Sequence, residues 1–421
     1  MLDIKFIREN FDLVRKGAEA KGLTVNLGDI IELDEKRRKL IQEGEQLKAT
    51  RNQVSAEVGK KKKEGVDATA LIAEMEIVKN RIQSIDHELR DVEQKLHDAL
   101  LNVPNLPHPS VPVGKTPADN KEIARRGEMP TVDFPLKPHW ELAEKLSIID
   151  FARGAKVAGA GFPFYVGKGA TLERALINFF LDQAAQRGYR EISPPLAVNE
   201  ASARGTGQLP DKEDLMYEVE RDRLYLIPTA EVPISNFHRD EILLHKELPI
   251  RYAAYTPCFR REAGSYGKDV RGLNRIHQFD KVELVKFVLP AASYDELESL
   301  REDAEHLLLL LGLPYRVLLM CTGDMGFTQS KKYDLEVWVP GQQKWLEVSS
   351  CSNFEAFQAR RMNVRFKPSD GGKPEFVHTL NGSGLALPRV LAALLEHYQT
   401  PEGKVIIPKV LHSYTGFEVI G

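Results

Sequence analysis

Between residues 71 and 99 the apolar side chains fall at steps of four and three without a break: Leu71, Met75, Val78, Ile82, Ile85, Leu89, Val92, Leu96 and Ala99. That spacing keeps one seam turned toward a partner helix and marks a left-handed coiled coil. A weaker stripe precedes it. Leu33, Leu40, Leu47 and Val54 repeat every seventh residue and are extended by Ile30 and Val58, while Arg37, Gly44 and Arg51 occupy the second seam position. Between the stripes lies Gly59-Lys-Lys-Lys-Lys-Glu-Gly65, whose flanking glycines predict a turn. Two antiparallel helices of roughly 30 residues, each on the order of 45 Å long, follow from this pattern. Alone, the lysine run reads as a solvated tip. The sharper alternative is contact with phosphates, whose condensed counterions it would release.

Past Asn102 the pattern dissolves. Prolines at 104, 107, 109, 112, 117, 130, 135 and 138 leave no room for a persistent helix or central strand. The predicted division is a helical domain over 1–102, a proline-rich connector over 103–138 and a mixed domain over 139–421. In the last, an apolar run opening near Thr171 predicts a helix stopped by Gly188, which tolerates the left-handed conformation. Tyr189 and Ile192 then lead as a strand into Pro194-Pro195. Further strands are predicted over 252–260 and 275–287 around a glycine-bearing loop at 263–269, over 333–339 and 345–350 around Pro340-Gly341, and over 376–380. Ser293-Tyr-Asp-Glu296 has the spacing of a capping box and heads a helix ending at Leu311-Gly312. Adjacent hairpins with few helices between them predict an antiparallel α+β sheet flanked by helices, not a doubly wound parallel one.

Composition narrows the classes. At 42% hydrophobic and 28% charged residues with a formal net charge of −3, a wholesale basic coat is excluded but a local basic strip is not. No apolar run approaches the roughly 18 residues that would span a bilayer, so no membrane partner is expected. The opening residues alternate charges and lack the apolar core of a secretory signal. Cys258, Cys321 and Cys351 are odd in number and form no CxxC, so they read as reduced thiols of a cytoplasmic protein.

The candidate chemistry sits in two stretches: Cys258-Phe-Arg-Arg-Glu-Ala-Gly-Ser with His277-Gln-Phe-Asp-Lys-Val-Glu283, and Asn381-Gly-Ser-Gly-Leu-Ala-Leu-Pro-Arg389. Each sets a permanently charged, planar guanidinium beside glycines, and the first adds acids and an aromatic ring. A site for a triphosphate, a purine and a small amino acid needs that inventory. Without a Walker glycine loop, arginines are the natural phosphate grip.

These residues resemble the class II aminoacyl-tRNA synthetases. Phe259-Arg260-x-Glu262 followed by His277-Gln-Phe279 is similar to motif 2, Gly384-Leu-x-x-x-Arg389 to motif 3, and Gly188-Tyr-x-x-Ile-x-x-Pro195 to motif 1. Within that class the chain resembles the seryl-tRNA synthetase family. The marks are Gly205-Thr-Gly-Gln-Leu-Pro210, Thr229-Ala-Glu231-Val-Pro, Glu262-Ala-Gly-Ser, Glu347-Val-Ser-Ser-Cys-Ser-Asn353 and Gln358-Ala-Arg-Arg361. The likeness covers essentially the whole chain. Arg261 departs, standing where the family commonly has serine, and Pro388 stands where motif 3 usually has glycine.

The resemblance implies a class II antiparallel sheet preceded by an N-terminal two-helix coiled coil. It implies ATP-dependent activation of L-serine and transfer to tRNA(Ser), and to tRNA(Sec) as well, by a homodimer with motif 1 at its interface. Carried over residue by residue, ATP falls to Arg260, Arg261, Glu262, Ile276, Phe279, Glu347, Val348, Ser349, Ser350 and Arg389. Arg260 would hold the α-phosphate and the serine carboxylate, and Glu262 the adenine amino group. Phe279 and Arg389 would sandwich the base, and Glu347 and Ser350 would ligate Mg2+. Serine falls to Thr229, Ala230, Glu231, Arg260, Glu283, Asn381 and Ser383. Asn381-Gly is equally a turn signal, so turn and ligand roles both stand. On the hairpin, Arg37, Arg51, Lys60, Lys61, Lys62 and Lys63 are the expected tRNA contacts. Two rivals remain: a serine-activating homologue that loads a carrier protein, and a nucleic-acid-binding coiled-coil protein with a dead catalytic body.

Overall fold

The computed structural model describes residues 1–210, 214–262 and 271–421; the predicted loop at 263–269 lies outside them. Two units emerge, one of Met1–Glu19 with Leu23–Pro104 and one of Ala20–Gly22 with Asn105–Gly421.

In the first unit the two stripes become helices α1 (Leu27–Lys63) and α2 (Thr69–Leu101). Ile30, Leu40, Val54 and Val58 are buried on the first, and Ile82, Ile85, Val92 and Leu96 on the second. The predicted coiled coil is therefore present, and α1 is longer than expected. It runs straight through Gly59 and all four lysines and turns only at Glu64–Gly65, where Gly65 takes φ +71°. Lysine is a good helix former and its charge suits a helix C-terminus, which outweighs the roughly 1 kcal/mol cost of one interior glycine. At about 1.5 Å per residue α1 extends on the order of 55 Å. Arg37 is not free at the seam. It shares the buried Asp34 with Arg8 and Arg38, at 3.2, 2.7 and 3.1 Å respectively.

The second unit is built on one sheet of eight strands. They are β1 (Lys121–Arg126), β2 (Arg190–Glu191), β3 (Ile250–Phe259), β4 (Gln278–Val288), β5 (Tyr315–Leu319), β6 (Lys331–Val339), β7 (Lys344–Asn353) and β8 (His378–Ala386). Their spatial order is β1-β5-β6-β7-β8-β4-β3-β2. Every pairing is antiparallel except β2 with β3, so the antiparallel α+β expectation holds. The connector donates the exposed edge strand β1, the one strand position that proline-rich flanks allow. Helices α3 (Lys168–Gln186), α4 (Ser293–Leu310) and α5 (Leu387–His397) pack against the sheet.

Alternation along β4 shows how the sheet divides its two faces. Val282, Leu284 and Val288 join the large core shared with α3, α4 and α5. Val285 and Phe287 meet a second cluster with Ala230, Ile234, Ala359 and Met362. Phe279, Lys281 and Glu283 share that second parity, the face on which the polar site is built. The odd member of the core face is Lys286, fully buried and neutralised by Glu296 at 2.9 Å.

Four local expectations change. The α3 helix opens at Lys168, ahead of Thr171, and the strand expected at 376–380 instead runs from His378 to Ala386. Asn381-Gly382 therefore lies within a strand; no turn forms, because cross-strand bonds to β4 and β7 claim that backbone. The capping box at Ser293 does not form. The Ser293 hydroxyl is taken by His378 at 2.9 Å, and Glu296 is drawn to Lys286 and to Arg251 at 2.7 Å. Tertiary partners outcompeted the local cap.

Between α3 and β4 two acids face each other. Burial and the neighbouring Asp280 push the Glu173 carboxyl up to about 9, while Asp280 accepts from the Tyr255 hydroxyl at 3.1 Å. Below its ordinary value of 4.5 the Glu173 group is protonated whether the chain is folded or not. As pH climbs toward 9 the unfolded chain ionises first, so folding stability drains across that window. Glu173→Gln removes the loss. Its melting temperature is expected to exceed wild type by roughly a few degrees at pH 8.5 and by less at pH 5. An equal gap at both pH values would contradict a Glu173 carboxyl held protonated chiefly by burial.

Candidate active site

A cleft of about 480 Å³ opens on the sheet, and both Arg260 and Arg389 line it. They arrive from opposite directions. Arg260 follows β3; its backbone N–H donates to His277 O at 2.8 Å, and its Nε donates to Pro228 O at 3.2 Å. Arg389 projects from the first turn of α5, where Pro388 fits because no intrahelical bond needs its missing N–H. Its fork is held in plane by two backbone carbonyls, Asn274 O at 3.1 Å and Glu347 O at 2.8 Å. The Arg260 guanidinium lies over the Phe279 ring, 5.1 Å from its centroid. Glu262 joins Arg275 at 3.0 Å and sits at φ +48°.

At one end is a nest of polar groups in which carboxylates are bridged by amides. Asn381 Nδ2 donates to Glu231 at 2.9 Å and to Glu283 at 2.8 Å. Gln358 donates to the other Glu231 oxygen at 2.6 Å. Glu283 is fully buried and accepts from Thr229 at 3.2 Å, with Lys281 paired to it and donating to Thr229 at 2.8 Å. Burial and the nearby Glu283 push the Glu231 carboxyl up to about 7. The nest has spare anionic capacity. A small ammonium-bearing molecule would fill it.

The opposite wall is made by β7. Glu347 and Ser350 both line the cleft although they are three residues apart, a spacing that on a regular strand would put them on opposite faces. The register shifts between the pairs Leu335–Ser349 and Glu336–Glu347, leaving Val348 as an extra residue. This bulge re-aims the strand and brings the two oxygen donors together. Burial would push the Glu347 carboxyl up, but Lys332, Arg389, Arg260 and Lys281 together hold it below its usual value. Among the described residues no group of three or more His, Cys, Asp or Glu is placed to hold a metal. An ion that takes most of its ligands from phosphates and water needs only one or two protein oxygens, and Glu347 with Ser350 fits that need.

The family model for the tRNA synthetase class II core domain (G, H, P, S and T) matches residues 216–398, and that for the seryl-tRNA synthetase N-terminal domain matches residues 1–107. A serine–tRNA ligase of Salinibacter ruber is 56% identical over 100% of this chain and 99% of its own. The chain belongs to the seryl-tRNA synthetase family. A second serine–tRNA ligase, from Geobacter sulfurreducens, is 56% identical over 99% of each chain. Among solved structures, seryl-tRNA synthetase of Pyrococcus horikoshii complexed with ATP superposes with TM-score 0.94 at 40% identity, covering 100% of this chain and 99% of that one. The cytoplasmic enzyme of Naegleria fowleri in complex with AMP gives 0.89 at 30%, covering 100% and 98%. A Giardia lamblia prolyl-tRNA synthetase, at TM-score 0.57 and 16% identity, shares the fold.

Of the residues carried over from the seryl-tRNA synthetase family, Thr229, Glu231, Arg260, Glu262, Ile276, Phe279, Glu347, Val348, Ser349, Ser350, Asn381, Ser383 and Arg389 all line the cleft. Three do not. Ala230 is buried in the second core cluster. Glu283 lies beneath the floor and acts through Thr229 and Asn381. Arg261 turns away to Asp214 at 3.3 Å, because its backbone N–H is claimed by Leu215 O and the side chain alternates to the opposite side from Arg260. Four groups at the site were given no role from the sequence: Lys281 and Gln358, although both stand in quoted motifs, and Lys332 and Asp334. Strand alternation from Phe279 and Glu283 could have flagged Lys281. Gln358 lies on a helix, and nothing local ties it to Glu231. No helix among the described residues is long and apolar enough to cross a membrane.

Proposed function

We propose that this chain adenylates L-serine with ATP and passes the seryl group to tRNA(Ser), and also to tRNA(Sec), as a cytoplasmic homodimer with motif 1 at its interface. The observation that carries this reading is the convergence of Arg260 and Arg389 on one cleft whose end is an amide-bridged carboxylate nest. Adenine lies between Phe279 and Arg389, with Glu262 accepting from its amino group. Arg260, which lies over Phe279, turns to the α-phosphate and the serine carboxylate. Glu231 and Thr229 hold the ammonium. Ser383, Asn381 and the Glu283 behind them hold the hydroxyl, and alanine would leave those buried polar groups unpaired. Magnesium held at Glu347 and Ser350 would spread the charge of the phosphates.

The serine carboxylate attacks the α-phosphorus in line and pyrophosphate leaves; Arg260 neutralises charge growing on the phosphoryl oxygens. The terminal ribose hydroxyl of the tRNA then attacks the seryl carbonyl and AMP leaves. Positioning does most of the work, and no covalent enzyme intermediate is required. The intact basic hairpin favours a tRNA acceptor over a carrier protein, since A-form RNA is gripped through shape and backbone.

Pyrophosphate exchange with serine, alanine, threonine and glycine side by side tests the reading, and a preference for any amino acid other than serine ends it. The Glu231 proton adds a second signature. An ammonium needs the carboxylate ionised, so serine affinity rises roughly tenfold from pH 6 to pH 8. Calorimetric titration of serine into Glu231→Gln is expected to show weak, pH-flat binding.

A further inference from the structure

Among the described residues five cationic side chains line the cleft: Arg260, Arg275, Lys281, Lys332 and Arg389. Four have a partner or task at the base, the α-phosphate or the amino-acid end. Lys332 has none there. It stands on β6 with its Nζ 3.2 Å from Asp334 Oδ2, and β-pairing sets Lys332 opposite Ser352 and Asp334 opposite Ser350. Glu347 and Asp324 are the other carboxylates within electrostatic reach. Asp334 is 4% exposed, and its Oδ1 is buried with no hydrogen-bond partner.

A buried ion pair is a poor source of stability, since an apolar pair of the same volume does as well or better. This pair also has an imbalance that points outward. The ammonium has three donors, one engaged by Asp334, and its side chain reaches the wall where Glu347 and Ser350 face the cleft. We infer that Lys332 is a phosphate-binding residue of the activation reaction, a fixed cation that holds the β- and γ-phosphates of ATP and then the departing pyrophosphate. Asp334 is its positioning partner, keeping the ammonium extended toward the cleft. This rests on the adenylation reading above and assigns the leaving-group end of the same site. The built-in charge takes over part of the neutralisation that a divalent ion at Glu347 and Ser350 supplies, so the enzyme tolerates lower magnesium than it otherwise would.

The test compares ATP with AMP, which lacks the phosphates in question. Calorimetric titrations in EDTA use wild type, Lys332→Arg and the charge-neutral double variant Lys332→Met with Asp334→Asn, which leaves no acid buried alone. Metal-free ATP binding is expected to weaken roughly tenfold in the double variant and to stay near wild type in Lys332→Arg, with AMP binding unchanged throughout. In exchange assays the magnesium concentration for half-maximal rate is expected to rise at least about threefold while KM for serine holds. Equal weakening of ATP and AMP, or no change in either, overturns the assignment. Should the double variant melt early, Lys332→Gln repeats the comparison with an uncharged donor in the same place. Wild-type enzyme without serine-dependent exchange would instead sink the adenylation reading, which keeps the two failures apart.

Discussion

Replacing Arg260 by alanine is expected to cut serine-dependent pyrophosphate exchange on the order of 10³-fold while leaving the melting temperature near wild type. Among the described residues the side chain's hydrogen bond is a part-buried one, from a cationic donor to Pro228 O, and its guanidinium stacks over Phe279. Arg260 itself belongs to no buried core, and the bonds that fix the segment through its backbone N–H and C=O, to His277 O and the His277 ring, survive the substitution. The loss falls on charge developing around phosphorus, so kcat should drop more than affinity for adenine. Lysine is expected to rescue little, because a point charge cannot reproduce a planar fork that reaches a phosphate and a carboxylate together. Pre-steady-state adenylate formation measures this directly. Wild-type rates in Arg260→Ala would show that the phosphate clamp lies elsewhere.

The second large effect concerns the hairpin. Its seam falls into two clusters, one around Leu40, Ile85 and Val92 and another around Val54, Val58 and Ala68 nearer the tip. Cross-helix pairs Glu43–Arg81 at 2.8 Å and Lys48–Asp86 at 3.4 Å mark where the arms lie level. Excising residues 49–80 and joining the ends with a short Gly-Ser linker removes the tip cluster, Arg51 and the four lysines, and keeps the base. Charging of tRNA(Ser) is expected to fall ~100-fold or more, with pyrophosphate exchange within about twofold of wild type. Replacing Lys60 to Lys63 alone should flatten the salt dependence of tRNA binding by about one unit of slope for each phosphate no longer neutralised. Full charging by the excised protein would remove the arm from tRNA recognition.

Much of this architecture was legible in the order of residues alone, and particular positions show why. The four-three spacing from Leu71 to Ala99 is a local property of one helix, and packing needed only a second stripe of the same period. The hairpin around Pro340-Gly341 followed from short-range turn chemistry. Where expectation failed, a distant group had intervened. Ser293 gave up its cap to His378, 85 residues away. The Asn381-Gly382 turn was suppressed by strands on both sides.

By itself the chain of residues determined the order of the elements, the paired helices, the antiparallel character of the sheet and the family motifs that hold the site's chemistry. Folding alone decided which of those groups meet. Glu347 and Ser350 share a face because one extra residue bulges β7, and Glu283 was withdrawn beneath Thr229 and Asn381. Lys332 and Asp334 were brought beside that same wall. Periodicity is written residue by residue along a strand. Register and bulges are set by the partner strand, which can lie anywhere in the sequence.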